Sequence, residues 1–113
     1  MTTYSVIRAT TPTHYFTIET DPSLFKRILI TYKQNGAIVL EKTKDEISVA
    51  EETEDEETVY ILSYRLTQAE TKGFSMNFPV YVQIRALTFD GAALASDIVK
   101  IDVETVLNDE VLV

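Results

Sequence analysis

A chain of 113 residues, 45% hydrophobic and 25% charged, holds enough apolar material for one packed domain and no more than one. Ten basic against eighteen acidic residues leave a net charge of −8, which argues against nucleic acid or an anionic membrane as partner, since both need a basic footprint. With no cysteine there is no disulfide frame, thiolate nucleophile or zinc–thiolate site, and a single histidine cannot build a multi-histidine metal centre.

The apolar residues recur with a period of two almost throughout, the signature of half-buried strands. Tyr4–Arg8 forms a short first strand, stopped by Thr10, Thr11 and Pro12. His14, Phe16 and Ile18 then alternate with Tyr15, Thr17 and Glu19. Asp21-Pro22-Ser23 reads as a turn that opens one helical turn over Leu24–Lys26, because proline suits the first helical position.

The following pair of strands is joined through Gln34-Asn35-Gly36. Ile28, Ile30 and Tyr32 share one face of the first strand, and Ile38, Leu40 and Lys42 share one face of the second. A two-residue loop at Asn35-Gly36 would set Ile30 opposite Glu41 and Tyr32 opposite Val39. A three-residue loop, with Gly36 left-handed in a bulge, sets Ile30 opposite Leu40 and Tyr32 opposite Ile38. The second register pairs apolar with apolar and is the expected one.

Glu46–Val49 is a short strand. Glu51 to Glu57 carries six carboxylates in seven residues; such a run repels itself, so a solvated hairpin loop is expected there. Calcium would need about six to eight converging oxygens and usually a glycine to bend the loop, and the run contains none. From Thr58 to Leu66, Val59, Ile61 and Ser63 face one way and Tyr60, Leu62, Tyr64 and Leu66 the other, as in a central strand covered on both sides. Thr67-Gln68-Ala69-Glu70 fits a capping box, predicting one helical turn that ends near Gly73. Phe74 and Phe78 are core candidates in the connection that follows. The last hairpin runs from Val80 to Phe89, turns at Asp90-Gly91 and returns from Ala92 to Glu104. Val82 then faces Val99, Val80 faces Ile101, and a bulge near Ser96-Asp97 absorbs a mismatch at Ile84.

Seven to eight short strands and one short helical turn, joined by hairpins, define an all-β fold. The expected architecture is an antiparallel, immunoglobulin-like β-sandwich over residues 1–104, with a C-terminal tail at 105–113. No segment approaches the roughly 18 consecutive apolar residues of a membrane helix. Met1–Arg8 lacks a basic stretch followed by an apolar one, so no signal peptide and synthesis in a cytoplasm are expected.

The residues offer no catalytic, cofactor or metal constellation. His14 alternates with Phe16 and Ile18, has no nucleophile motif beside it and reads as a structural residue. No Gly-rich phosphate loop is present. Six tyrosines and no tryptophan invite a sugar-stacking reading, but Tyr15, Tyr32, Tyr60, Tyr64 and Tyr81 all fall in strands, where tyrosine fits the pleated surface. Two groups are candidate protein-contact residues. Leu87, Phe89 and Leu94, near the tip of the last hairpin, are expected on the face opposite Val80, Val82 and Ile84. Val111, Leu112 and Val113 form a bare apolar end to the tail. The first strand, with one charge and no proline, is a weakly protected edge.

Six stretches carry a family resemblance: Thr11–Phe16, Thr31–Gly36, Val39–Thr43, Leu66–Thr71, Val82–Arg85 and Asp90–Ser96. In this order they resemble small proteins encoded by tailed phages and prophages of gut Firmicutes. They are similar, more loosely, to the N-terminal β-sandwich domain of phage upper baseplate proteins, where a Leu-Thr…Glu element precedes a strand and an Asp-Gly hairpin closes the domain. The acidic run Glu51–Glu57 departs from that pattern, whose loop is short. The resemblance implies a non-enzymatic virion module of tail, baseplate or connector. Its expected partners are other virion proteins and further copies of itself, and its expected location is the virion, or the bacterial cytoplasm before assembly. The competing expectation is a cell-surface glycan-binding module.

Overall fold

A computed structural model describes residues 4–113. Among them are nine strands: β1 (Tyr4–Ile7), β2 (Thr13–Ile18), β3 (Phe25–Gln34), β4 (Ala37–Thr43), β5 (Ser48–Glu54), β6 (Glu57–Arg65), β7 (Val80–Thr88), β8 (Ala93–Ala95) and β9 (Val99–Glu104), with one short helix, α1 (Gln68–Lys72), between β6 and β7. The larger sheet runs β1-β9-β7-β3-β4, with β8 also paired to β7; the smaller runs β2-β6-β5. The two pack face to face through one core. Ile28, Ile30 and Tyr32 of β3 and Val80, Val82 and Ile84 of β7 meet Leu62 and Tyr64 of β6, with Leu66 and Phe74 closing one end. The period-two pattern thus delivers the two-sheet, mostly-β architecture. It undercounts the strands, because the return of the last hairpin breaks into β8 and β9. One pair also departs from the antiparallel rule, since β1 lies parallel to β9, Tyr4 beside Ile101.

Two hairpin loops differ in length from the sequence expectation. At Asn35-Gly36 the loop has two residues, both left-handed (φ 51° and 79°), as a type I′ turn requires. The expected bulge at Gly36 and its register are absent; a different bulge lies inside the strand pair, where between Tyr32↔Leu40 and Lys33↔Ile38 the register shifts past Val39. Tyr32 therefore faces Leu40, Ile30 faces Lys42, and Ile38 turns out to solvent. The three-residue loop appears at the other end of the chain. There β7 and β8 pair Leu87 with Ala93, leaving Phe89-Asp90-Gly91 as the turn, with Gly91 left-handed (φ 94°). Farther along, Val82↔Val99 and Val80↔Ile101 have the expected register. The shift between these two phases is absorbed at Ser96, which bonds both the N–H and the C=O of Ile84.

A Cβ on Gly36 would meet no atom within 4 Å, so its substitution is costly only through backbone conformation. Gly36→Ala is expected to lower the free energy of unfolding by about 1 kcal/mol, read from a urea midpoint at unchanged slope.

The acidic run is strand rather than loop. Glu51, Glu52 and Glu54 lie on β5, Glu57 opens β6, and the turn is only Asp55-Glu56. Every residue of β5 is exposed, so these carboxylates keep their water while the backbone pairs; self-repulsion did not outweigh the ladder. The turn is left-handed at both positions, φ 51° and 67°, although neither residue is glycine. Glu56→Gly removes a Cβ from that conformation and is expected to raise Tm by a few degrees in a thermal scan.

Candidate interaction site

The short helix organises the end of the sandwich from which the site is built. Thr67 caps α1 by accepting from the Glu70 N–H at 3.1 Å, and the Glu70 carboxylate accepts from the Thr67 N–H at 2.8 Å, the capping box expected from the sequence. Three further helix residues bind distant chain. Thr71, fully buried, donates to the Thr10 carbonyl and accepts from the Thr10 N–H. The carbonyl of Lys72 accepts from Arg8 at 2.9 Å. The Gln68 amide clamps the tail, donating to the Leu112 carbonyl at 2.9 Å and accepting from its N–H at 2.7 Å.

Behind this end lies a polar core. Lys42 of β4 points inward among apolar neighbours and places its ammonium 2.7 Å from Glu70 and 3.6 Å from Glu46. Burial works to raise the Glu70 carboxyl, but the bonds it accepts from Lys42 and from the Thr67 N–H outweigh this and hold it below the usual carboxylate range. Gln34, also buried, donates to the carbonyls of Ser75 and Phe78 and accepts from the Ser75 N–H, fixing the connection into β7. Phe74 fills the core there, whereas Phe78, the other core candidate, is largely exposed because Gln34 engages its backbone and not its ring.

His14, Tyr32 and Tyr64 form a hydrogen-bonded chain that bridges the sheets. His14 Nδ1 lies 2.5 Å from the Tyr32 hydroxyl, which also bonds the Tyr64 hydroxyl. Burial holds the imidazole below its ordinary value. Burial, with Tyr64 beside it, pushes the Tyr32 phenol well up, and burial raises Tyr64 as well. At neutral pH the chain carries no charge, and it works as a strut between β2, β3 and β6. Because the folded pKa of His14 is depressed, the unfolded state takes up its proton first on acidification. Stability contributed by His14 is therefore complete above the unfolded value, about 6.5, and falls as pH drops from there toward the folded pKa. His14→Phe is expected to lose this slope below about pH 6.5 in urea titrations.

In front of the strut is a cleft of about 480 Å³. One wall is residues 13–17 of β2, and the floor is Tyr4 of β1, Val82 of β7, and Val99 and Ile101 of β9. Tyr4 and Tyr15 stand at its mouth, 52% and 66% exposed.

The contact residues expected from the sequence are dispersed. Leu94 pairs with Ala86, so it shares the inward face of Ile84, while Leu87 lies on the opposite face beside Arg27 and Leu29. Phe89, 69% exposed, sits past the end of β7 with the Lys44 ammonium 5.9 Å from its ring centre. The expected single patch of Leu87, Phe89 and Leu94 is thus split, because the three-residue turn shifts β8 by one position. In the tail, the backbone of Leu112 is held by Gln68 and Asp109 lies 3.3 Å from Arg8, while the side chains of Val111, Leu112 and Val113 face solvent.

Among the described residues no group of three or more His, Asp or Glu side chains converges as a metal site, and no helix is long and apolar enough to cross a membrane. No protein-family model matches the chain, and no curated protein matches it significantly.

Proposed function

We propose that this chain is a non-enzymatic structural or adaptor module of a phage or prophage virion, placed in the tail or baseplate. On this reading it is an immunoglobulin-like sandwich that works by presenting strand edges and apolar surface to neighbouring proteins. The observation that carries the protein-binding part is the uncharged cleft along the free edge of β2, beside which two tyrosines stand exposed. The polar core supports the same reading. Its ionised groups are paired, and burial raises the Tyr32 and Tyr64 phenols, the reverse of what activates a hydroxyl as a nucleophile. The virion assignment rests on the sequence resemblance. On this reading the chain belongs to the virion, or to the bacterial cytoplasm before assembly, with other virion proteins and further copies of itself as partners.

The test is mass spectrometry of particles purified after prophage induction, with the neighbouring genes read alongside. Stoichiometric recovery in the particle, from a gene beside tail or portal genes, is the expected result. Absence from particles would remove the virion assignment. A glycan-binding module is the second reading, favoured by Tyr4 and Tyr15 flanking one cleft. It predicts a gene within a polysaccharide-utilisation cluster and a glycan-array signal that Tyr15→Ala abolishes.

A further inference from the structure

The two sheets are unequal: five strands stand side by side in the larger and three in the smaller. Strand β2 ends the smaller sheet, bonded to β6 on one side only. Which of its backbone groups are free follows from the ladder. The Leu66 N–H donates to the Pro12 carbonyl, so the hydrogen-bonded positions continue at His14↔Tyr64, Phe16↔Leu62 and Ile18↔Tyr60. The N–H and C=O groups of Thr13, Tyr15 and Thr17 therefore point the other way, into the cleft. Beneath them Tyr4, Val82, Val99 and Ile101 offer an apolar floor from the larger sheet. The cleft thus pairs a row of peptide groups at strand spacing with a surface for alternate side chains, the two features by which an added strand is recognised. Residues 13–17 span about 16 Å, the length of a five-residue extended segment.

We propose that this edge takes an extended segment of another protein as a fourth strand of the smaller sheet, its alternate side chains apolar and β-branched, with basic residues flanking them. The proposal deepens the reading of the chain as a protein-binding module and rests on it. The lining contains no charged residue at neutral pH, which selects uncharged inward side chains. The chain as a whole carries −8, which favours a basic segment and disfavours a second copy. Its own tail is a poor donor, since it carries Asp109 and Glu110 and is already held by Gln68 and Arg8.

The probe is the blocked peptide acetyl-Lys-Val-Thr-Val-Thr-Val-Lys-amide, added to the isotopically labelled full chain. Saturable amide shifts at millimolar peptide, centred on Thr13, Tyr15 and Thr17, are expected. Added antiparallel, the bound strand sets its two threonines opposite two of these residues and directs their N–H groups to β2, whereas the valine N–H groups face away. N-methylation at the two threonines should therefore weaken binding at least tenfold, and N-methylation of the valines should not. Tyr15→Pro removes an N–H from the open side alone, so Tm should move by no more than a few degrees while peptide affinity falls at least tenfold. The peptide variants keep the test valid should that substitution unfold the protein. Absence of shifts, or shifts insensitive to threonine methylation, overturns the proposal. So does a homodimer that Tyr15→Pro dissociates in light scattering, which would give the edge to a second copy. Absence of the chain from particles, with peptide binding intact, would instead remove the virion reading and leave this one standing.

Discussion

Tyr32→Ala is expected to lower the free energy of unfolding by about 4 kcal/mol, with the urea midpoint as the measurement. Tyr32 is fully buried near the end of β3, stacked on Phe74 at 6.0 Å and on His14 at 5.7 Å. Truncation opens a cavity between the sheets and also removes the hydroxyl that links His14 to Tyr64. Tyr32→Phe separates the two effects. It keeps the ring and leaves the Tyr64 hydroxyl without its buried partner, for an expected loss of about 2 kcal/mol. The difference between the two variants measures packing; the smaller loss measures the polar strut. If Tyr32→Phe proves neutral, the hydrogen-bonded chain contributes nothing to stability and serves only to align the rings.

Lys42→Ala is expected to cost about 3 kcal/mol, because it leaves Glu70 part-buried without its cation. Lys42→Met, which preserves the apolar stem, should cost less, and adding Glu70→Gln to it should recover most of the remainder. The pH dependence has a definite sign. In the parent the Glu70 pKa is depressed, so its contribution is present above the unfolded value of about 4.5 and is lost as pH falls through the folded pKa. In Lys42→Ala only the Thr67 bonds remain to oppose burial, so the Glu70 pKa is less depressed and less stability is lost on its protonation. The stability gap between the two proteins should therefore narrow as pH falls below about 4.5.

What could be read from the sequence was local. The capping box at Thr67–Glu70, the Asp21-Pro22 turn and the pairing of Val82 with Val99 each depend on residues within one hairpin or one helical turn, and all three are present, although the helical turn after Asp21 covers Pro22–Leu24 and not Leu24–Lys26, where β3 has begun. The loop length at Gly36 misled because apolar matching settles which residues share a face but not which pair: Tyr32 and Leu40 do lie on one face, yet the pairing is two residues away from the expected one, since the extra residue is Val39 on β4 and not part of the turn. The acidic run misled because charge density was weighed without the two exposed faces that let a protruding hairpin solvate it. Lys42 did leave a signal, a cation in phase with Leu40 on an inward face, but its partner lies 28 positions away on α1. The cleft left none. Its wall and floor come from β2 and from β1, β7 and β9, and their adjacency is a property of sheet order, which a period of two does not encode.

The parallel contact of β1 with β9 has a consequence for how the domain is made. Tyr4 and Ile101 lie in the first and the last of the described strands, so the pairing closes a loop of nearly a hundred residues. Such a closure is slow and entropically costly until the intervening strands have condensed. During synthesis β1 emerges first yet has no partner until β9 clears the ribosome. Its Val6, buried in the finished fold, must wait in solvent for the length of translation. Folding of the domain is therefore expected to complete only once β9 is available, with β1 and β9 joining last.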